Sequence, residues 1–166
     1  MILGMSIETF TSLHVVISLI GIFTGAVVVL GMLGNKGLGS WTAVFLATTI
    51  LTSATGFLFP FTHFLPSHGV GIISLVVLAV ALVALYVNRL VGFWRWVYIV
   101  TALAALYLNV FVGVVQAFQK LAFLQPLAPT QSEAPFLIAQ GLVLAIFVVL
   151  GFVAVTKFHP ETQASA

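Results

Sequence analysis

The sequence predicts an all-α integral membrane protein, a single bundle of five transmembrane helices with its N-terminus outside and its C-terminus in the cytoplasm. Three observations carry that prediction. Hydrophobic residues make up 62% of the 166-residue chain and charged residues 5%, so too few polar groups exist to cover a water-facing surface. The mean hydropathy is +1.29. Apolar runs bounded by Gly, Pro and charged residues recur at the length needed to cross a hydrocarbon core of about 30 Å, which is about 20 residues.

The first helix is expected over about 10–33. Residues 1–10 contain no Lys or Arg, and the apolar run after them is longer than the hydrophobic region of a signal peptide, so it reads as a retained span. The second helix, over about 41–64, is hydroxylated by Thr48, Thr49, Thr52, Ser53 and Thr55. Pro60 removes a hydrogen bond there and frees the Gly56 carbonyl, which predicts a kink. The third helix, about 69–88, is almost wholly aliphatic from 71 to 87. The fourth spans about 93–119 and the fifth about 135–157. Short connections make neighbours antiparallel. The one long connection, 121–134, holds Pro126 and Pro129 and is expected to fold across the outer bundle end.

Orientation follows from the positive charges. Lys36, Arg89, Arg95 and Lys157 fall on one side and only Lys120 on the other, which places the first group in the cytoplasm. Trp41, Tyr86, Trp94 and Trp96 lie near that inner boundary, where amphipathic rings settle at headgroup level. The outer end then gathers Glu8, His14, His63, His68, Lys120 and Glu133.

Helical spacing sorts the polar and small residues into stripes. His14, Ser18, Gly21 and Gly25 share a face of the first helix, and Gly21 with Gly25 forms a GxxxG pair, which predicts close packing against another helix. Thr52, Gly56, Phe59 and His63 share a face of the second. On the fourth, Ala102, Ala105, Asn109, Gly113, Gln116 and Lys120 line up, and the amides of Asn109 and Gln116 are expected to face inward because lipid offers them no partner. Gly56 and Gly113 join Gly21 and Gly25 as expected packing positions. On the fifth helix Gln140, Leu144, Phe147 and Gly151 align.

The chemistry available is narrow. The chain has no cysteine and no aspartate, no carboxylate pair within a span, and neither a phosphate loop nor a hydrolase motif, so it is not expected to be an enzyme on its own. Neutral imidazoles ligate haem iron, Zn or Cu. His14 and His63 are the expected axial pair for a haem b, with His68 as a second partner. The three together form a nitrogen donor set for Zn or Cu, with Glu8 or Glu133 as an oxygen ligand. A two-haem arrangement needs histidine pairs at both faces, and the inner face lacks them. A quinone needs an aromatic slot, which Phe57, Phe59, Phe61 and Phe64 supply, and a His, Asn or Gln for each carbonyl.

The expected function is therefore that of a redox-associated membrane subunit. It binds a haem b, a metal ion or a quinone in an outer-half pocket lined by His14, His63, His68, Asn109 and Gln116. Two alternatives stand beside it: a cofactor-free accessory or scaffold subunit of a larger membrane complex, and a small transporter or lipid-binding protein. The last is weakened by an odd helix count, which leaves no inverted repeat. Expected partners are the lipid bilayer and either other membrane proteins or further copies of the chain. With a net charge of +2 from so few groups, nucleic acid is not among them. The expected location is the plasma (inner) membrane. The topology is open to direct measurement: a reporter fused after Ala166 should be active only on the cytoplasmic side, and activity on the external side would reverse every face assigned above.

Overall fold

Ser6 starts the first helix. Its hydroxyl accepts a hydrogen bond from the Thr9 amide at 3.1 Å, and Glu8 adds an acidic group in the first turn, so helix α1 (Ile7–Leu33) begins three residues before its hydrophobic stripe does. The chain is described here in a computed structural model over residues 1–61 and 66–160. Among the described residues it folds as five α-helices and no strand: α1, α2 (Gly39–Gly56), α3 (Pro66–Leu82), α4 (Phe93–Lys120) and α5 (Ala134–Lys157). A π-helical turn, Val83–Val87, continues α3. Pro66 occupies the first position of α3 and Pro135 the first turn of α5, where a missing amide hydrogen costs nothing.

Four of these helices are long and apolar enough to cross a membrane: α1, α3 with its π turn, α4 and α5. The chain is a helical membrane bundle. The second helix differs from its expected form. It stops at Gly56, short of 64, because the ring of Pro60 would clash with the Gly56 carbonyl one turn earlier, and the chain ends the helix there in place of a kink. Its 18 residues carry so many hydroxyls that it falls outside the four of spanning length and composition. It still packs along α1 on one flank and along α3 on the other.

The fourth helix is the hub. It touches α1, α2, α3 and α5, and its Ile99, Ala102 and Ala105 are almost wholly buried. Alanines at these points let neighbouring backbones approach, which matters because lipid tails are as apolar as leucine and give helices no hydrophobic reason to associate. The main core gathers at the basic end and mid-depth around Met32, Phe45, Leu78, Tyr98, Leu106 and Phe158. A smaller cluster of Phe118, Ala128 and Phe136 lies at the other end.

That second cluster explains the long connection. Ala128 is buried beneath it, Gln131 Nε2 donates to the Val115 carbonyl at 3.3 Å, and the Phe118 and Phe136 rings meet edge to face at 5.5 Å. A 3₁₀ turn at Gln125–Leu127 shortens the path. The segment thus covers the ends of α4 and α5. Glu133 ties its last turn together by accepting from the Thr130 amide and hydroxyl and the Ser132 amide. Desolvation works to raise the pKa of this carboxyl, but those hydrogen bonds outweigh it and hold it below the usual glutamate range.

Gly21 and Gly25 lie where α1 meets α2 and α4. A Cβ on Gly25 would sit 2.6 Å from Leu106 Cδ1 and 2.8 Å from the Phe45 ring, and one on Gly21 would sit 3.1 Å from Asn109 Nδ2. Gly113 and Gly56 are looser, with their first neighbours, Ile22 Cδ1 and His14 Cε1, at 3.7 and 4.0 Å. Gly25→Leu should therefore lower the stability of the detergent-solubilised protein by about 1–3 kcal/mol or more through overpacking. Gly141→Leu, whose Cβ meets nothing within 4 Å, should leave the melting temperature unchanged.

Candidate functional site

His14 stands two turns into α1, half-buried against the last turn of α2. Its Nδ1 lies 2.8 Å from Thr55 Oγ1, and its ring meets Phe59 edge-on at 5.3 Å. Thr55 has one hydroxyl hydrogen and gives it to the Leu51 carbonyl at 2.7 Å. It can therefore only accept from His14, so the network assigns the proton of a neutral imidazole to Nδ1 and leaves Nε2 as a lone-pair acceptor. Phe10, buried, packs edge-on against Phe59 at 5.0 Å and completes the apolar wall.

Below His14 the same interface continues as a polar ladder. Ser18 Oγ donates to Thr52 Oγ1 at 3.4 Å, and Asn109 Nδ2 of α4 reaches the Ser18 carbonyl at 3.4 Å. Gly21 makes room for this, since the absent Cβ lies within 3.3 Å of Asn109 Nδ2, Thr49 Oγ1 and Thr48 Oγ1. The hydroxyls of Thr48 and Thr49 are committed to Val44 and Phe45 carbonyls of their own helix. The ladder ends at the layer of Phe45 and Leu106 around Gly25. The ladder thus spans the α1–α2–α4 junction from the histidine end to mid-depth.

His68 is buried elsewhere. Its ring stacks on Phe57 at 5.7 Å and tilts against Phe61 at 4.3 Å. Residues 53 and 57 of the α2 strip face α3, where Ser53 Oγ and Ser74 Oγ share a hydrogen bond at 2.9 Å, whereas Thr55 and Phe59 face α1. The two histidines are thus held on opposite flanks of α2. His63 lies outside the described residues. Among the described residues no group of three His, Cys, Asp or Glu could hold a metal ion.

Gln116 and the two carboxylates expected beside the pocket, Glu8 and Glu133, also sit apart from His14. Gln116 is exposed and bonds Gln119 Nε2-to-Oε1 at 3.5 Å. It continues the Asn109 stripe, but α1 packs on α4 at the level of Asn109 and leaves the turn holding Gln116 exposed. The carboxyl of Glu133 serves its own turn, and Glu8 is exposed at the start of α1. Neither reaches His14 or His68 through a described contact.

Two further features lie outside the expected pocket. Gln140 is buried, its Nε2 donates to the Phe111 carbonyl at 3.1 Å, and its Oε1 has no partner among the described residues; its place on a polar stripe was the signal. The second is a cavity of about 170 Å³ at the basic end, between α1, α2, the π turn, α4 and the segment after α5. No periodicity announces a void formed by a loop and a helix irregularity.

The His14 assignment can be tested directly. Thr55→Val should remove the acceptor for Nδ1–H and lower stability by about 1 kcal/mol, whereas Thr55→Ser should retain it. Nitrogen chemical shifts of His14 in the unaltered protein should report the Nδ1–H form, and the opposite tautomer would break the assignment. No family model matches the chain, and no curated protein or solved structure gives a match to it.

Proposed function

We propose that this chain is a redox-associated subunit of a membrane complex, holding a quinone-class ring beside His14. The observation that supports it is the hydrogen-bond commitment of that imidazole. With Nδ1–H directed at Thr55 and the Thr55 hydrogen spent on Leu51, Nε2 is an acceptor next to the aromatic edges of Phe59 and Phe10. A quinol hydroxyl is the complementary donor, and a flat ring fits an edge-lined wall. Among the three cofactor classes, the acceptor role of Nε2 favours a quinone, and the separation of His14 and His68 by α2 disfavours a haem b or a Zn or Cu site built on that pair. Asn109 supports the site from below by fixing α1 to α4 at Ser18. The membrane is proposed to be the plasma (inner) membrane with the histidine end outside.

A second reading is a cofactor-free scaffold subunit. What favours it is that the ladder of Ser18, Thr52, Thr55 and Asn109 satisfies much of its own hydrogen bonding within the bundle, while α5 presents Leu137, Leu142, Ile146, Val149 and Phe152 to its surroundings.

Purification from native membranes followed by organic extraction and absorption spectroscopy separates these readings. A co-purifying quinone is expected, and His14→Phe should reduce its retention about tenfold, the worth of one good hydrogen bond. A Soret band or a stoichiometric metal would replace the quinone with haem or metal. A colourless, metal-free and quinone-free protein would leave the scaffold reading in its place.

A further inference from the structure

The basic end carries Lys36, Arg89, Arg95 and Lys157, four of the chain's five Lys and Arg residues, while the described carboxylates Glu8 and Glu133 both stand at the opposite end. The cavity of about 170 Å³ opens within this positive region. Its walls are mostly apolar, with Val28, Met32 and Leu85 among them. Lys36 stands at its rim, and Thr42 and Tyr98, side-chain partners of one another, are its inner hydroxyls. Trp41, exposed, and Tyr86, on the cavity wall, mark the level as that of lipid headgroups.

The chain around the cavity is irregular on one side and tied down on the other. On one side the π turn widens α3, with Asn88 N bonding Val83 O at 3.0 Å. The next residues, Arg89 at φ 48° and Leu90 at φ 59°, adopt the left-handed conformation, and Gly92 follows at φ 55°. Left-handed backbone at a leucine is costly and persists where surrounding structure imposes it. On the other side the chain after α5 is latched twice. Arg95 Nη1 donates to the carbonyls of Val155 and Phe158, and the His159 amide donates to Asn35 Oδ1 at 2.7 Å. Asn35 itself sits at φ 52°.

We propose that the cavity is a binding site for an anionic phospholipid, which places the upper part of one acyl chain between α1 and the π turn and its phosphate on the Lys36 ammonium. The size argues for a lipid over a soluble metabolite. Sites that enclose a whole small molecule run to about 300–1,000 Å³, and this one takes only part of its ligand, the remainder lying in the bilayer. The charge selects the headgroup, since cations at the membrane surface attract anionic lipids. This site lies at the end of the bundle opposite His14, so it stands or falls separately from the quinone reading.

The test uses the full-length protein in a mild detergent, with phosphatidylglycerol, phosphatidylcholine or oleate added at equal mole fraction, read by melting temperature and native mass spectrometry. Phosphatidylglycerol should raise the melting temperature by about 3 °C over phosphatidylcholine at low salt, and the excess should shrink as salt screens the rim. Lys36→Gln, an exposed loop change, should erase that excess. Gly39→Leu, at a wall position where a Cβ meets nothing within 4 Å, should lower retention of phosphatidylglycerol in the mass spectrum. Melting temperatures of both variants in detergent alone report that they fold. Equal shifts with both phospholipids, an excess that survives in Lys36→Gln, unchanged retention in Gly39→Leu, or oleate retained as well as phosphatidylglycerol would each overturn the proposal.

Discussion

The close approach of α1 to α2 and α4 at Gly21 and Gly25 is the constraint on which the rest of this bundle depends. In lipid, helices are held by dispersion contacts and by hydrogen bonds that have no better partner, and both need short distances. Gly25 admits Leu106 and Phe45 to within 3 Å of where a side chain would begin. That contact sets the depth of α4 against α1. It thereby brings Asn109 to the Ser18 carbonyl, and it lays the hydroxylated face of α2 along the polar stripe of α1, so that Thr55 meets His14. Without the glycines the polar ladder would have no second side.

The two ends of the molecule are built on different principles. The histidine end is a set of paired polar groups and aromatic edges, and the long connection covers only the α4 and α5 part of it. The basic end is a framed cavity with irregular backbone on one wall and a latched chain end on the other. Aromatic and aliphatic packing around Tyr98, Ile99 and Leu106 separates them. A ligand at one end would be separated from the other by this buried layer.

Much of this architecture was legible in the residues, for identifiable reasons. Apolar runs are long and strongly bounded, so every helix but α2 appears close to its expected limits; Ser6 and Pro66 set two starts a few residues early because helix-start residues act locally and outside the apolar run. The small-residue stripe of α1 was readable because GxxxG reports distance, not chemistry. What periodicity could not supply was neighbourhood. Gln116 has the spacing of Asn109 and a different surrounding. His14 and His68 share a level in the chain's topology, but which flank of α2 each one meets depends on helix rotation. Pro60 was readable as a disruption, yet whether it bends a helix or ends it is decided by what packs on either side. The cavity at the basic end comes from a π turn and left-handed residues, neither of which leaves a mark in hydropathy.

The shortness of α2 has a consequence for the bilayer itself. At about 1.5 Å per residue its 18 residues reach about 27 Å, whereas the 27 residues of α1 beside it reach about 40 Å. Non-helical backbone is tolerated at membrane depth only where protein or water covers its polar groups, so the end of α2 at Gly56 calls for such cover along Phe57–Phe61, the stretch whose Phe59 ring meets His14. A bilayer can meet a short helix by thinning at its edge, and the short member of this bundle is the one that carries Thr55, the partner of His14.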